Sequence, residues 1–112
     1  MGDYSNIPTY FRSGGRMDLY SVWSGMLYRC YSENSSNFEY YGGRGVWVSD
    51  RWLRFDIFVE DVQTIPGWLD KQADWEGYSL DKDKLGGGTL CYSVDTCCWL
   101  DSEQQNFYRS FK

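Results

Sequence analysis

The sequence of 112 residues contains no histidine, only two prolines and no long apolar run. Without histidine, the chain lacks the most common general base and the most common metal ligand of enzymes. No stretch approaches the roughly 18 apolar residues that a membrane-spanning helix requires. The N-terminus, Met1-Gly2-Asp3-Tyr4, shows no basic stretch followed by an apolar one, which is the pattern of a secretory signal. We therefore expect a cytoplasmic protein.

A surplus of basic residues is also missing, since 11 lysines and arginines face 16 acids and the net charge is −5. Residues 1–54 carry six arginines and five acids, net +1, whereas residues 55–112 carry five basic and eleven acidic side chains, net −6. Nucleic-acid binders normally have a basic surplus, because they neutralise phosphates. The acidic half therefore indicates either an ordinary solvated face or a surface that meets a basic partner.

Aromatic side chains are abundant, with 6 Trp, 10 Tyr and 6 Phe making 20% of the chain. Acidic disordered tails are poor in aromatics, so the composition favours a folded protein. A chain of this length corresponds to about one domain and can bury one core. We therefore expect a single domain over residues 1–112.

The apolar pattern predicts helix, strand and helix over residues 18–66, after an arm or loose lead-in over 1–17. Asp18 is the expected cap of the first helix, whose apolar residues follow helical spacing: Leu19, Val22, Trp23, Met26, Leu27 and Cys30. A Gly-rich turn and a short strand over 46–49 come next. Asp50 is the expected cap of a second helix that Pro66-Gly67 ends, with a stripe of Trp52, Phe55, Phe58, Val59 and Val62.

The last third, residues 78–112, predicts a ββα unit. Residues 78–82 alternate as in a strand, Gly86-Gly87-Gly88 predicts a turn, and residues 97–100 predict a second strand. A helix is expected to follow, with Asp101 or Ser102 as its N-cap. The expected fold class is α+β, with two N-terminal helices and a short strand before a C-terminal ββα finger.

Three segments follow one another along the chain. The first is Leu19-Tyr20-x-Val22-Trp23-x-x-Met26-x-x-Arg29-Cys30-Tyr31, and the second is Tyr41-Gly42-Gly43-Arg44-Gly45-Val46-x-Val48-x-Asp50-Arg51-Trp52, followed by Phe55, Phe58 and Asp61. The third is Ser79-Leu80-Asp81-Lys82, then Tyr92-Ser93-x-Asp95-Thr96-Cys97-Cys98-Trp99, then Glu103-Gln104 and Asn106. In this order they resemble the small phage-encoded HNH-type, homing-endonuclease-like proteins, over most of residues 19–109. The resemblance implies a phage or prophage origin, an HNH-like ββα finger, action in the host bacterial cytosol and an ancestor that handled DNA.

The sequence departs from active members of the wider HNH class at the general base. Lys82 stands where that class has a histidine after Asp81, and Ser49 stands where the family often has a cysteine. A lysine at its usual pKa of about 10.4 is protonated and cannot activate water. The resemblance places Asp81 and Asn106 at metal-binding positions, where they are weak candidates for Mg²⁺. We expect no enzyme activity and no cofactor, with magnesium left open.

Cys30, Cys91, Cys97 and Cys98 are even in number but lie outside any secretory context. Their spacing does not match the usual paired C-x-x-C zinc knuckles, and a zinc site would need cysteines or carboxylates alone. We expect buried thiols, with zinc as the alternative.

Two surfaces compete as the binding site. An acidic, Trp-bearing stretch predicts contacts with a basic protein partner through Trp68, Asp70, Asp74, Trp75 and Glu76. In the alternative, its tryptophans fold over the core. The second surface would bind DNA through Arg44, Arg51, Arg54 and Lys82, with Arg51 and Arg54 on one helix face.

These patterns favour a non-catalytic phage protein that binds and inhibits a host nucleic-acid-handling defence complex, of the anti-CRISPR or anti-restriction type. The alternative is a DNA-binding, homing-endonuclease-like phage protein.

Overall fold

Residues 15–101 are described by the structure, a computed structural model, with side chains from Leu19 onward. Helices alternate with short strands along these residues, which confirms the α+β class. The elements are α1 (Gly15–Tyr31), β1 (Trp47–Val48), α2 (Phe55–Val62), α3 (Trp68–Ala73), β2 (Tyr78–Asp81), α4 (Asp83–Gly86), β3 (Cys91–Tyr92) and β4 (Cys98–Asp101). No helix in this range is long and apolar enough to cross a bilayer.

Two compact units meet in sequence between Glu60 and Asp61. The sequence-based expectation of one domain over residues 1–112 stays a prediction. In the first unit, helix α1 begins at Gly15, so the predicted arm over 1–17 is too long and Asp18 is not its cap. Four of the six residues of the predicted stripe are buried, namely Leu19, Trp23, Met26 and Cys30, and Val22 and Leu27 are partly exposed.

Aromatic packing holds the first unit together. The Trp23 indole N–H donates to the Trp52 carbonyl oxygen at 2.8 Å, and the Trp23 and Phe55 rings lie 5.2 Å apart. The Trp52 and Phe58 rings meet edge to face at 5.0 Å, a favoured geometry for aromatic pairs. These contacts join α1 to the segment that follows β1.

The second predicted helix is interrupted, which corrects the sequence-based boundary. Residues Asp50–Leu53 form a short 3-10 helix, and Arg54 has extended backbone at φ −101° and ψ 124°. The Arg54 carbonyl oxygen accepts the Phe58 N–H at 3.0 Å, as an N-cap residue does. The predicted apolar stripe is nevertheless buried throughout, but Arg51 and Arg54 do not share one helix face.

In the second unit, strands β2 and β4 form an antiparallel pair in which Tyr78 faces Asp101 and Asp81 faces Cys98. Trp99 on β4 joins this pair to the preceding segment, since its backbone N–H donates to Pro66. Its indole N–H donates to the Val62 carbonyl oxygen at 2.9 Å. Helix α2 therefore ends at Val62, before the predicted Pro66-Gly67 stop.

The glycines of this unit allow close packing of the backbone at Gly67 and a turn at Gly87 and Gly88. Gly67 has φ +91°, and a Cβ there would lie 2.4 Å from the Trp99 carbonyl oxygen. Gly87 and Gly88 also have positive φ, which glycine adopts at little cost, in the predicted Gly86–Gly88 turn. The two strands on either side agree with the predicted strand–loop–strand order. The helix expected after Asp101 or Ser102 lies outside the described residues, so the ββα arrangement stays a prediction.

Phe58 tests the aromatic core of the first unit. We expect Phe58→Ala to lower the free energy of unfolding by about 3–5 kcal/mol, because it leaves a cavity beside Trp52. Leu53→Ala is the control, since Leu53 is 48% exposed and its loss should cost little. Urea unfolding followed by tryptophan fluorescence measures both, and equal losses would contradict this description of the core.

Candidate functional site

In the second unit, one run of acids is exposed and two of the three described lysines are buried, although Asp61 and Asp81 are buried as well. Asp70, Asp74 and Glu76 are exposed, and all three follow one another within α3 and the turn before β2. Of the three lysines among residues 61–101, Lys71 and Lys82 are buried at 3% and 4% exposure, and only Lys84 is exposed. The exposed charge of this described surface is therefore strongly negative.

A groove of about 280 Å³ lies beside these acids. Asp70 from α3 and Asp101 from β4 line it, together with Tyr78, Trp99, Leu85 and Lys84. The acidic surface, as the term is used below, consists of Asp70, Asp74, Glu76 and Asp101. It combines carboxylates with the aromatic and aliphatic walls of the groove.

The acids create a local negative potential at Tyr78. The Asp70 carboxylate, then burial, then the Asp101 and Asp74 carboxylates raise the pKa of the Tyr78 hydroxyl above its usual value. Each carboxylate disfavours a second negative charge on the phenol. The same potential would attract the cationic side chain of a partner.

The two tryptophans of the predicted partner-binding stretch are placed differently from its acids. Trp68 is only 8% exposed, so in this conformation its side chain belongs to the interior and not to a docking surface. Its ring meets Trp75 edge to face at 6.1 Å and lies 5.9 Å from Trp99. Trp75 is half-buried. The tryptophans thus support the acidic surface from beneath, as in the alternative that had them folding over the core.

The four basic candidates for nucleic-acid binding are not equivalent. Arg44, Arg51 and Arg54 are all exposed, and the Arg54 guanidinium forms an ion pair with Asp56 at 2.9 Å. Lys82 is buried, and its ammonium pairs with Asp83 at 2.9 Å. Lys82 therefore offers no charge to a phosphate in this structure, which corrects its assignment to the DNA-binding surface.

The Gly-rich turn before β1 is a short 3-10 helix over Gly42–Arg44. The Arg44 guanidinium donates to the Tyr40 carbonyl oxygen at 3.3 Å. Gly42 packs so closely on α1 that a Cβ there would lie 2.0 Å from the Cys30 carbonyl oxygen. Close packing therefore accounts for Gly42, in agreement with the predicted Gly-rich turn.

Asp81, a candidate metal ligand in the sequence analysis, has a structural role. Asp81 is 4% exposed, and its Oδ2 accepts the backbone N–H groups of Asp83 at 3.0 Å and Lys84 at 2.9 Å. Asp81 thus caps the first turn of α4. Asn106, the other weak metal candidate, lies outside the described residues. Residues 15–101 bring together no group of three or more metal-ligating His, Cys, Asp or Glu side chains.

The four cysteines are thiols, not disulfides. Cys30, Cys97 and Cys98 are buried, and Cys91 is partly exposed. Burial raises the pKa of the Cys97 thiol to about 12, and burial also raises the pKa of Cys98. Such thiols are weak nucleophiles at neutral pH.

Comparison with protein-family models finds no matching family, and comparisons with curated proteins and with solved structures find no match.

Sequence reasoning missed helix α3, the interior position of Lys71 and the contribution of Tyr78 to the groove. The spacing of Lys71 and Trp75, four residues apart, is compatible with a cation placed over an indole ring. This spacing is the one signal in the sequence that the polar stretch around Lys71 and Trp75 is folded rather than an irregular linker.

The cysteines provide a test of the burial described here. We expect a thiol reagent at pH 8 to modify Cys91 first, because it is the most accessible thiol, and Cys97 last. Mass spectrometry of partly modified protein identifies the order, and modification in denaturant is the control in which all four react alike. Early modification of Cys97 would contradict its interior position.

Tyr78 provides a pH test. Because the folded state holds the phenol proton more tightly, its contribution to stability is present below the usual pKa of about 10 and is lost as the pH rises through the folded pKa. We expect Asp70→Asn to lower the pKa of Tyr78, measured as phenolate absorbance with Tyr78→Phe as the reference. Asp95→Asn is the control, since Asp95 does not contribute to this shift. An equal effect of both variants would refute the assignment.

Proposed function

We propose that this chain is a non-catalytic binding protein whose acidic surface docks on a basic surface of a partner protein. The observation that carries the proposal is the cluster of exposed carboxylates in the second unit, whose described surface exposes a single lysine, Lys84. Exposed carboxylates at Asp70, Asp74 and Glu76 face solvent, whereas Lys71 and Lys82 are buried. Complementary potentials of this kind steer encounter and select partners.

The class of partner comes from the sequence resemblance. An HNH-like scaffold with Lys82 in place of the base fits a phage protein that has lost nuclease chemistry and acts by binding. Machines that handle nucleic acid present arginine- and lysine-lined channels to phosphates. An acidic protein surface would compete for such a channel. We propose a host defence complex of the anti-CRISPR or anti-restriction target type as the partner.

The local geometry also supports a role without catalysis. The Lys82 ammonium is held by Asp83, so it is not placed to accept a proton. Asp81 already accepts two backbone N–H groups, and binding a metal through the same oxygen would compete with that cap. The described part of the chain thus supports binding better than hydrolysis.

DNA binding is the second candidate, and one observation favours it. Arg44 and Arg51 are exposed in the first unit, and Trp47, close to both in sequence, is 48% exposed. An indole beside guanidinium groups can stack on bases. Lys82, which this candidate also needed, is buried in its ion pair with Asp83, whereas Arg54 is exposed in a surface pair with Asp56, so one cation fewer is available than the sequence suggested.

A pull-down from nuclease-treated bacterial lysate tests the proposal. We expect the tagged protein to retain a stoichiometric protein partner, identified by mass spectrometry. We expect the variant Asp70→Asn/Asp74→Asn/Glu76→Gln to bind it at least about tenfold more weakly, a loss of about 1.4 kcal/mol or more. Asn at position 74 can still accept the Gly77 N–H that Asp74 Oδ1 accepts at 3.1 Å, so the turn itself is kept.

The charge-matched control is Glu33→Gln/Glu39→Gln/Glu60→Gln, which removes three exposed carboxylates from the first unit and should retain the partner. Equal loss in both variants would mean that net charge alone drives binding. Partners that vanish with nuclease treatment, and that need Arg44 and Arg51, would refute the proposal in favour of DNA binding.

A further inference from the structure

Lys71 is the most unusual charged residue of the second unit. It lies on α3 and is only 3% exposed, although the acids on either side of it in sequence, Asp70 and Asp74, are exposed. Lysine is almost never buried to this degree unless its ammonium is satisfied. Its interior contacts therefore call for a physical explanation.

The ammonium of Lys71 binds the backbone that follows α3. Its Nζ donates to the carbonyl oxygen of Trp75 and to that of Tyr78 at 2.7 Å. These two carbonyl groups flank the turn that carries Glu76 and leads into β2. The Lys71 side chain therefore holds the main chain at both ends of the segment from Trp75 to Tyr78.

Aromatic rings surround the same ammonium. The Nζ lies 4.3 Å from the centre of the Trp75 ring and 5.2 Å from the centre of the Trp99 ring. Trp68 contacts both indoles. Desolvated cation–π contacts of this kind are favourable, so they stabilise the cation in the interior.

The outer side of the turn is held by its own acid. Asp74 accepts the Gly77 N–H through its backbone oxygen at 3.2 Å and through Oδ1 at 3.1 Å. Lys71 from inside and Asp74 from outside therefore define one backbone conformation. That conformation sets the positions of the Asp74 and Glu76 carboxylates.

We propose that Lys71 is a positioning residue for partner binding, whose buried ammonium holds the acidic turn over residues 74–77 in the conformation that a basic partner recognises. The inference rests on the proposed function of the acidic surface. An apolar side chain could fill the same space without the cost of desolvating a charge. What it could not do is bind the Trp75 and Tyr78 carbonyl groups, and the role of the cation follows from those two bonds.

The test asks whether removing one positive charge strengthens or weakens the binding of a cationic peptide. The probe is a fluorescein-labelled nona-arginine peptide, and its affinity is measured by fluorescence anisotropy at two salt concentrations. Lys71→Met and Lys84→Met each remove one positive charge. If net charge alone governed binding, both variants would bind the probe more tightly. We expect Lys84→Met to bind more tightly and Lys71→Met to bind at least about threefold more weakly, because its turn is no longer fixed.

Hydrogen exchange at the Gly77 amide provides a readout that needs no partner. We expect this amide to exchange at least about tenfold faster in Lys71→Met, since the turn opens more often. Lys71→Arg retains a cation and should restore part of the protection. Unchanged Gly77 exchange, or tighter peptide binding by Lys71→Met, would overturn the proposal.

Two further measurements distinguish a failure of the Lys71 proposal from a failure of the proposed docking surface. If Lys71→Met does not fold, NMR of the wild-type protein decides, because rings at these distances must shift the Lys71 ε-methylene protons upfield. Signals at ordinary lysine positions would refute the contact. If Asp70→Asn/Asp74→Asn/Glu76→Gln binds the peptide as tightly as the wild type, the acidic surface fails as a docking site, whereas Gly77 exchange still reports on Lys71.

Discussion

The position of the Trp99 indole is the constraint on which the second unit depends. Its ring N–H donates to Val62, its backbone N–H donates to Pro66, and its ring contacts Trp68. Gly67 must lack a side chain because a Cβ would meet the Trp99 carbonyl oxygen. The end of α2, the start of α3 and strand β4 are therefore held together by one residue, Trp99, which also lines the groove.

That arrangement explains how so acidic a segment folds. The carboxylates of Asp70, Asp101 and Asp74 together disfavour a further negative charge nearby, since they raise the pKa of the Tyr78 hydroxyl. Exposure to water screens this repulsion. The Lys71 ammonium beneath the turn adds a compensating charge where screening is weakest, between indole rings. Asp70, Asp74 and Glu76 therefore stay in solvent while Lys71 lies inside, and this part of the described surface is negative.

The sequence predicted those parts of the fold that depend on local periodicity. The stripes of α1 and α2 and the strands β2 and β4 follow from spacing, since burial repeats with the period of the element. Helix α3 could not be found in this way, because it is six residues long and its two buried side chains, Trp68 and Lys71, are not both apolar. The break at Arg54 was missed as well, since the apolar stripe continues across it. What separates the two helices is backbone conformation, which side-chain spacing does not record.

The candidate site was predicted in composition but not in geometry. Its acids could be identified because they lie close together in sequence, and Asp101 could not, because only strand pairing brings it opposite Tyr78. Arg54 and Lys82 were assigned to a surface from their charge alone. Each has a neighbouring acid, Asp56 or Asp83, within two residues, and each forms an ion pair with that acid.

Lys82 and Asp83 form a buried ion pair on which the local fold depends. Breaking a buried pair by removing one partner costs about 3–5 kcal/mol, so Lys82 cannot be exchanged for a neutral base without a penalty in folding. Asp81 is tied to the same turn through the N–H groups of Asp83 and Lys84. In this chain, the charged groups of Asp81, Lys82 and Asp83 interact within the segment that joins β2 to α4. These charged groups are therefore committed to the fold, whereas Asp70, Asp74 and Glu76 are left in solvent.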